Sequence, residues 1–588
     1  MKLKNIAIVF ASTALFSACQ SDLLDLNPTG SIGSGNMWTT ENLVDMGVTG
    51  IYQTLTLEQV GYGFYHYDQF GFTTQARDAD DFTAGTVTSS NKRFTDSWKQ
   101  LYEGIHRAND GIFNLTDKAP VSDTKRGRLM AECKFLRAYF YYRLNSVYRG
   151  VPLYLEPIEI DQCIQGRETE AVVWDAIVKD LTDAINEPNL PNKYDKGAAD
   201  YGRISKGAAY ALRGKTYMWM KEYAKAEADF AKLKELGYAL FTGGYKQLFK
   251  EVNEQSDEMI FSVQQMNLSG YGSDIELRFG NRSSLGYAWN TYMPSSDFVD
   301  TYEMQDGSKF DWDKILPGYS KLTPMERSIY FYRDGLTAEE LETAKTKGAK
   351  TELYLPSGNE ARIKKAYESR DPRLTATVIT PYAEYYGGFP QTYALTYAMR
   401  FPYRDTNEPT CDLKTDTQDY LYYMYRKFVS EGTNELNGRD GRMFVPIDYP
   451  LIRFADVLLL EAEAINEQKF DARAVELVNQ VRARAGVALL QTTDASKPTY
   501  VNNQSDMRQR IRNERRWEFN GEAINYFDEL RWQTLKETKF AAGSGTKEVW
   551  GRTIHAYSWR GDYFYKWAIP QAECERNSNL IQNDGWIN

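Results

Sequence analysis

The spacing of apolar residues predicts helices in the first and last parts of the chain and an irregular middle. Between 241 and 450 the helical spacing mostly disappears, and glycine, proline, asparagine and aromatic residues become frequent. The predicted helices cover residues 98–115, 128–148, 170–185, 204–237, 337–347 and 451–467. We therefore predict a mainly α protein, in which helical regions 41–240 and 451–588 flank a loop-rich aromatic region 241–450 with few short strands.

Two predicted helix pairs match the spacing of the tetratricopeptide repeat. In this repeat small residues let two helices approach closely, and aromatic residues fill the groove between pairs. The first copy consists of Tyr210, Gly214, Tyr217, Ala226 and Phe230, and a looser second copy of Ala462, Ile465, Ala474 and Val478. We expect a solenoid-like scaffold of helix pairs, for which ordinary antiparallel helix packing is the alternative.

Three glutamates form a ladder in the predicted helical stretch 507–532. Glu514, Glu518 and Glu522 lie at i, i+4 and i+8, where like charges repel. The cations at hand in the same stretch are Arg510, Arg515, Arg516 and Arg531. We predict a buried, ion-paired helix that breaks near Gly521. A carboxylate metal site is the alternative, but such sites in helical bundles usually recruit histidine through Glu-x-x-His, which is absent from the stretch 507–532.

The amino terminus predicts an export signal and a lipid anchor. In residues 1–18, two lysines precede an apolar run that is too short to span a bilayer. Small residues lead directly to Cys19, as in a bacterial lipobox, and we predict that Cys19 is acylated. Ordinary signal-peptidase cleavage, with Cys19 left free, is the alternative. Residues 19–40 are then the lipidated cysteine and an extended tether, and the chain is anchored to a membrane without crossing it.

Composition and motif content exclude several classes of function. A net charge of −10 argues against nucleic-acid binding, which depends on lysine and arginine contacts to phosphate. The five cysteines lack C-x-x-C spacing and the three histidines are far from one another in sequence, so we expect no metal and no cofactor. No nucleophile or phosphate motif is present. A glycoside hydrolase is the rival class, and its candidate carboxylate pairs are Asp80 with Asp81 and Asp311 with Asp313.

Five blocks of the sequence resemble, in order, the SusD/RagB family of Bacteroidetes outer-membrane lipoproteins. The blocks are Leu136-Arg137-Ala138-Tyr139 with Gly150-Val151-Pro152-Leu153, then 452–464, then 477–486, then Glu514-Arg515-Arg516-Trp517-Glu518-Phe519 with 527–532, and last Trp567-Ala568-Ile569-Pro570 with 577–586. The chain departs from a compact family member at 308–365, which resembles added loop material. The resemblance therefore covers the chain from its helical first part to its last residues.

This resemblance implies a protein that binds and does not catalyse. Family members lie on the cell surface as a lid on a SusC-like TonB-dependent outer-membrane transporter, to which they hand captured oligosaccharides. Their fold is mostly helical, an α–α superhelix with tetratricopeptide-like pairs. Some relatives of the RagB type work with peptide importers, so peptide is the alternative ligand. We expect a surface-exposed outer-membrane protein with a transporter partner.

Two stretches combine the residue types that bind sugars. A pyranose ring packs its C–H face on tryptophan or tyrosine, and its hydroxyl groups need polar side chains nearby. The first stretch contains Tyr287, Trp289, Asn290 and Tyr292, and the second contains Tyr62, Tyr65 and Tyr67 with Arg77, Asp80 and Asp81 downstream. Trp312 is a further candidate. For each of these aromatic residues, burial in the core is the alternative.

Overall fold

A computed structural model describes residues 34–587, apart from 118, 389–394, 406–409, 418, 438 and 440. The predicted signal peptide, Cys19 and the first part of the predicted tether lie outside these residues. The described chain is mainly α-helical with short strands, which confirms the predicted fold class. No helix among the described residues has both the length and the apolar character to cross a membrane.

The longer helices lie in the first and last parts of the chain. In chain order they are α1 (Glu41–Tyr52), α2 (Lys92–Asp117), α3 (Asp123–Tyr148), α4 (Glu170–Asn186), α5 (Lys206–Met220), α6 (Tyr223–Glu235), α7 (Phe454–Gln468), α8 (Ala472–Ala485), α9 (Gln504–Phe519) and α10 (Ile524–Trp532). From α2 to α8 each helix packs on the next, and α9 packs on α7. The helical scaffold is thus one row of packed neighbours, as a solenoid-like arrangement requires.

The pair α5–α6 shows why small residues were needed. A Cβ added at Gly214 would lie 2.5 Å from the Phe230 ring, so only glycine lets the two helices approach this closely. Ala226 and Phe230 are buried between them, and Lys221 adopts a left-handed conformation at the turn. The members of the second copy, on α7 and α8, are buried as well.

The central region consists of short elements. Short helices lie at Tyr245–Leu248, Ile275–Phe279, Ser296–Val299, Trp312–Ile315, Pro324–Arg327, Ala338–Thr346, Asn359–Lys364, Pro372–Thr377 and Thr433–Asn437. The helix predicted at 337–347 is Ala338–Thr346, capped by Thr337, whose Oγ1 accepts from Glu340 N at 3.1 Å. The stretch 308–365, expected to be loop material, includes four of these helical turns.

The strands are short and pair locally or across long sequence distances. They are β1 (Thr74–Ala76), β2 (Met259–Val263), β3 (Tyr292–Pro294), β4 (Val378–Ile379), β5 (Glu384–Gly387), β6 (Leu395–Ala398), β7 (Cys411–Asp412), β8 (Met424–Tyr425), β9 (Tyr449–Arg453), β10 (Gly545–Lys547) and β11 (Thr553–Ala556). The pairs β1–β3, β2–β9, β4–β8, β5–β6 and β10–β11 are antiparallel, and β6–β7 is parallel. The antiparallel pair β2–β9 joins the start of the central region to its end.

The start of the helix predicted at 451–467 is wrong by three residues. Residues 451–453 belong to β9, and α7 begins at Phe454, whose backbone N–H donates to Glu258 O at 2.8 Å. All of β9 is buried. A continuously apolar run is compatible with either a buried strand or a buried helix. Periodicity therefore could not distinguish the strand at 451–453 from the helix that follows it.

The folded body also begins earlier than the predicted tether allows. Ser34–Met37 is helical, and Trp38 is 4% exposed, with its Nε1 donating to Asp110 Oδ2 at 3.0 Å. Thr40 caps α1 by accepting from Leu43 N. Trp38 is therefore part of the core, and the last residues of the 19–40 stretch belong to the folded body and not to a tether.

The glutamate ladder is buried and ion-paired, as predicted, with Glu514 and Glu518 on α9 and Glu522 in the turn that follows it. Arg373 Nη1 lies 2.7 Å from a Glu514 oxygen and 3.1 Å from a Glu518 oxygen. Arg453 lies 2.7 Å from both Glu518 and Glu522. Further pairs join Arg482 to Glu514, Arg484 to Glu518 and Lys427 to Glu522. We call these residues the ladder network.

The source of the cations was predicted wrongly. The arginines close to the ladder in sequence pair with other acids: Arg510 with Glu303, Arg515 with Asp456 and Asp528, Arg516 with Glu529, and Arg531 with Glu463 and Asp528. Arg515 and Arg516 lie one or two positions from a ladder glutamate and point to a different side of the helix. Arg510 has the spacing to face Glu514 but pairs with Glu303. The ladder is therefore neutralised by residues brought from distant parts of the chain.

We predict that Arg453→Met destabilises the protein by about 3–5 kcal/mol, because it leaves buried carboxylates without a partner. Arg473→Met is the matched control, because Arg473 is exposed and pairs with Glu227 at the surface. This control is expected to change stability by less than about 1 kcal/mol. Denaturant unfolding measures both. Equal effects of the two substitutions would contradict the structural role of the ladder network.

The pH dependence of stability provides a second prediction. Burial alone would raise the pKa of Glu518, but Arg484, Arg453 and Arg373 lower it from 4.5 to about 2. Because the folded-state pKa is lowered, the stabilisation is complete above pH 4.5 and is lost as the pH falls toward 2. The difference in thermal midpoint between wild type and Glu518→Gln is therefore expected to be largest above pH 4.5 and to narrow below it. A difference that stays constant from neutral to acidic pH would contradict this assignment.

Candidate functional site

The loop 280–291 lies between the helix Ile275–Phe279 and β3 and has an unusual backbone. Tyr287 and Asn290 have φ angles of 60° and 38°, in the left-handed region that non-glycine residues seldom occupy. Hydrogen bonds hold this shape: Trp289 N donates to Leu277 O at 2.8 Å, and Asn290 N donates to Gly280 O at 2.7 Å. Such strained positions concentrate at functional sites and persist only where surrounding contacts enforce them.

Two aromatic rings of this loop are available to a ligand. Tyr287 is 52% exposed and Trp289 is 36% exposed. The guanidinium carbons of Arg278 and Arg442 each lie 5.5 Å from the centroid of the Trp289 ring, within cation–π range. We call Arg278, Tyr287, Trp289 and Arg442 the Trp289 surface.

Arg77 and Asn290, predicted as ligand contacts, hold the loop in place. Arg77 Nη1 donates to Trp289 O at 2.9 Å and pairs with Asp416. Asp416 N donates to Asn290 Oδ1 at 2.8 Å, and its carboxylate also pairs with Arg282. Asn290 is 0% exposed, so its side chain is out of reach of a ligand, and its predicted role is wrong.

Three predicted aromatic contacts are core residues, and their assignment to a ligand site is wrong. Tyr65 is 0% exposed and its hydroxyl donates to Asp274, and Tyr67 stacks on Trp567 at 5.6 Å. Tyr292 packs against Tyr65 and His66, and burial raises its pKa to about 12. The same mixture of tyrosine and polar residues occurs in an aromatic core and in an exposed loop, so composition did not distinguish them.

The remaining predicted residues lie at separate places. Tyr62 is half-buried beside Asp274, the partner of Arg278. Asp80 caps the short helix Asp81–Ala84 and pairs with Arg93 at 3.0 Å, whereas Asp81 is exposed.

Trp312 is half-buried and lies far in sequence from Tyr62, Asp80 and Asp81. Its ring stacks on Tyr319 at 4.6 Å, and its Nε1 donates to Asp300 at 2.9 Å. The structure thus brings Arg77 and Trp289 together and leaves Trp312 in a packed cluster of its own.

The carboxylate pairs proposed for a hydrolase also have local roles. Asp80 and Asp311 each cap a short helix by accepting a backbone N–H, and Asp313 accepts from Ser320 N at 3.2 Å. Among the residues that the structure describes, no group of three histidine, cysteine, aspartate or glutamate side chains could hold a metal ion.

Sequence reasoning missed Arg278 and Arg442 in the Trp289 surface. Arg442 lies far along the chain and reaches the loop because Ser273 and Val445 exchange backbone hydrogen bonds of 2.8 and 3.1 Å. Exposed side chains flank this bridge on both segments: Met266, Leu268, Tyr271 and Met443. In the sequence, only the density of tyrosine and glycine around 271–272 marked this part of the surface. That pattern gave no indication that the segment carrying Arg442 pairs with it.

A separate open cavity of about 860 Å³ lies where α4, α5, α7, α9 and α10 meet. Its lining includes Arg149, Trp219, Tyr223, Arg512 and Trp532. None of the predicted site residues contributes to it. The Trp289 surface and this cavity are therefore independent features.

Two family models match this chain, one over its first part and one over its second. A model described as the SusD family matches residues 257–586. A model described as starch-binding associating with outer membrane matches residues 22–218. The first match includes the loop that carries Trp289 and the whole ladder network.

Two relatives illustrate the similarity in sequence. SusD-like protein P25 of Formosa agariphila is 24% identical over 608 residues, covering 100% of this chain and 99% of the relative. The starch-binding protein SusD of Bacteroides thetaiotaomicron is 22% identical over 494 residues, covering 81% of this chain and 76% of the relative. Both alignments extend well beyond the five sequence blocks.

Solved structures support the same assignment at the level of the fold. A SusD-like protein from Bacteroides fragilis superposes with a TM-score of 0.72 at 22% identity, covering 95% of this chain and 100% of that one. A laminarin-binding SusD-like protein superposes with a TM-score of 0.65 at 21% identity, covering 93% of this chain and 100% of that one. The family matches, together with this shared fold, establish that the chain belongs to the SusD family.

Proposed function

We propose that this protein binds oligosaccharides at the cell surface and delivers them to a SusC-like TonB-dependent outer-membrane transporter without altering them chemically. Membership of the SusD family supports this proposal. Relatives that bind starch and laminarin support a glycan as the ligand, in preference to a peptide. The match to a family model described as associating with the outer membrane supports the location.

The observation that carries the proposal is the exposed Trp289 ring on an anchored loop. An indole that is 36% exposed offers a flat apolar face for the C–H groups of a pyranose ring. Arg278 and Arg442 beside it supply N–H donors for sugar hydroxyl groups. Because loop 280–291 is already fixed by hydrogen bonds, binding does not have to order it, which favours affinity.

The proposed absence of catalysis is supported by the way the candidate carboxylates are engaged in the structure. A glycoside hydrolase requires two carboxyl groups about 5–9.5 Å apart across the scissile bond. The predicted pairs at Asp80 and Asp311 are engaged as helix caps. At the Trp289 surface, Asp274 pairs with Arg278, and Asp416 pairs with Arg77 and Arg282. Carboxylates held in ion pairs favour a binding role.

We predict that Trp289→Ala weakens glycan binding by about tenfold or more, because it removes the stacking platform. The thermal midpoint is expected to change by less than about 2 °C, because the ring contributes little to the core. Calorimetric titration of residues 34–588 with a panel of soluble plant, algal and host oligosaccharides measures binding, and scanning calorimetry measures the midpoint.

Trp312→Ala is the matched control, since Trp312 stacks on Tyr319 and bonds to Asp300 in a packed cluster. It is expected to lower the midpoint and to preserve affinity. A large loss of midpoint in Trp289→Ala would place that residue in the core. Continuing heat flow with new reducing ends would show catalysis, and binding of peptides alone would contradict the glycan assignment.

The lipid anchor at Cys19 is proposed on sequence grounds, since this residue lies outside the described part of the structure. We predict that Cys19→Ser abolishes labelling by a palmitate analogue and releases the protein from outer-membrane fractions, because acyl chains supply the membrane affinity. Cys163→Ser is the control, as Cys163 is an exposed cysteine of the folded body. Retention of the label in Cys19→Ser would contradict the predicted anchor.

A further inference from the structure

The surroundings of Trp289 are rich in arginine. Arg77 and Arg282 share Asp416, Arg77 also pairs with Asp78 at 2.7 Å, and Arg278 pairs with Asp274 at 3.2 Å. Each of these three guanidinium groups has a carboxylate partner. A fourth, that of Arg442, has no ion pair with another described residue.

Toward the described residues, Arg442 donates hydrogen bonds from only one nitrogen of its guanidinium group. Its Nη1 donates to Gly286 O at 2.7 Å and to Tyr287 O at 2.6 Å, which fixes the side chain against the loop. Nε and Nη2 donate to no other described residue, and Arg442 is only partly buried. The Nε–Nη2 edge is a planar pair of donors that matches a carboxylate or sulfate group.

The Nε–Nη2 edge of Arg442 lies next to the Trp289 ring. The Arg442 guanidinium carbon lies 5.5 Å from the centroid of the Trp289 ring. A sugar ring packed on Trp289 would therefore bring its ring substituents within reach of the guanidinium group. The whole protein carries a net charge of −10, so a cation that pairs with no carboxylate among the described residues is a local exception.

We propose that the glycan bound at the Trp289 surface is anionic, with a carboxylate or sulfate substituent held by Arg442 beside a ring stacked on Trp289. This inference rests on the proposed function, because it names the class of glycan that the surface takes. A neutral glycan would accept single hydrogen bonds from Arg442 and would leave its charge without a partner. An acidic sugar satisfies both the charge and the paired donors, and a charge-assisted pair is roughly twice as strong as a neutral hydrogen bond.

The first experiment compares acidic oligosaccharides with neutral forms of the same oligosaccharides, using the wild-type protein. Calorimetric titration compares oligosaccharides from polygalacturonate and alginate with their carboxyl-reduced forms, and oligosaccharides from chondroitin sulfate and carrageenan with their desulfated forms. We expect at least one acidic member to bind at least about tenfold more tightly than its neutral counterpart. That preference is expected to shrink as NaCl is raised, because salt screens a partly exposed ion pair. The member that responds identifies carboxylate or sulfate as the anion.

A substitution then assigns the preference to Arg442. In Arg442→Gln the affinity ratio of the acidic glycan to its neutral form is expected to fall toward one, while the amide can still donate to a loop carbonyl. The ratio is informative even if the loop shifts, because a distorted loop weakens both ligands. Arg473→Gln, which removes an equal charge from an exposed position on α8, is the control and is expected to keep the wild-type ratio.

The outcomes separate this inference from the proposed function. Equal affinity for acidic and neutral forms, or binding of neutral glycans such as laminarin alone, would overturn the anionic assignment and leave glycan binding intact. A wild-type ratio in Arg442→Gln would overturn the role of Arg442. Failure to bind any acidic or neutral glycan would overturn the proposed function itself, and the anionic assignment with it.

Discussion

The burial of three like charges, two on α9 and one in the turn that follows it, is the constraint on which the rest of the structure depends. Glu514, Glu518 and Glu522 lie within the core, where an unpaired carboxylate costs several kcal/mol. Their partners come from the helix Pro372–Thr377, from β9 and from α8, with Lys427 from the central region. These segments must meet at one place for α9 to be buried. The ladder network therefore ties the irregular central region to the helical scaffold.

This constraint extends from the end of α9 to the Trp289 surface. Asn520 follows α9 and accepts a hydrogen bond of 2.7 Å from Tyr425, whose ring stacks on Phe279 at 4.2 Å. Phe279 ends the short helix from which the loop of Trp289 departs. Gly521, with a φ of +84°, lies against the same two rings, so the predicted helix break is also a packing contact. The loop of Trp289, which lacks regular secondary structure, is thus supported by the packed residues that follow α9.

The sequence predicted the helices and helix pairs, which depend on local periodicity. It did not predict ion-pair partners or the exposure of aromatic residues, which depend on residues distant in the chain. The helix pair with Gly214 and Phe230 follows from spacing alone, because its contacts are close in the chain. The ladder was predicted to be ion-paired, but its partners Arg373 and Arg453 are far from α9 in sequence. Tyr65 and Trp289 both occur in aromatic, polar stretches, and only the tertiary fold buries one and exposes the other. Arg442 reaches the site through a bridge that no local pattern indicates.

The residues that fix the loop of Trp289 are distinct from the side chains that the loop exposes. Arg77, Asp416 and Asn290 form hydrogen bonds with the backbone and with one another around Trp289, and so fix the loop. The aromatic side chains of the proposed binding surface, Tyr287 and Trp289, are exposed by 52% and 36%. Changes at those exposed positions alter the surface at small cost in stability, whereas changes in the ladder network leave buried charges without partners. A fold shared at 22% identity is the expected result when stability and specificity depend on separate sets of residues.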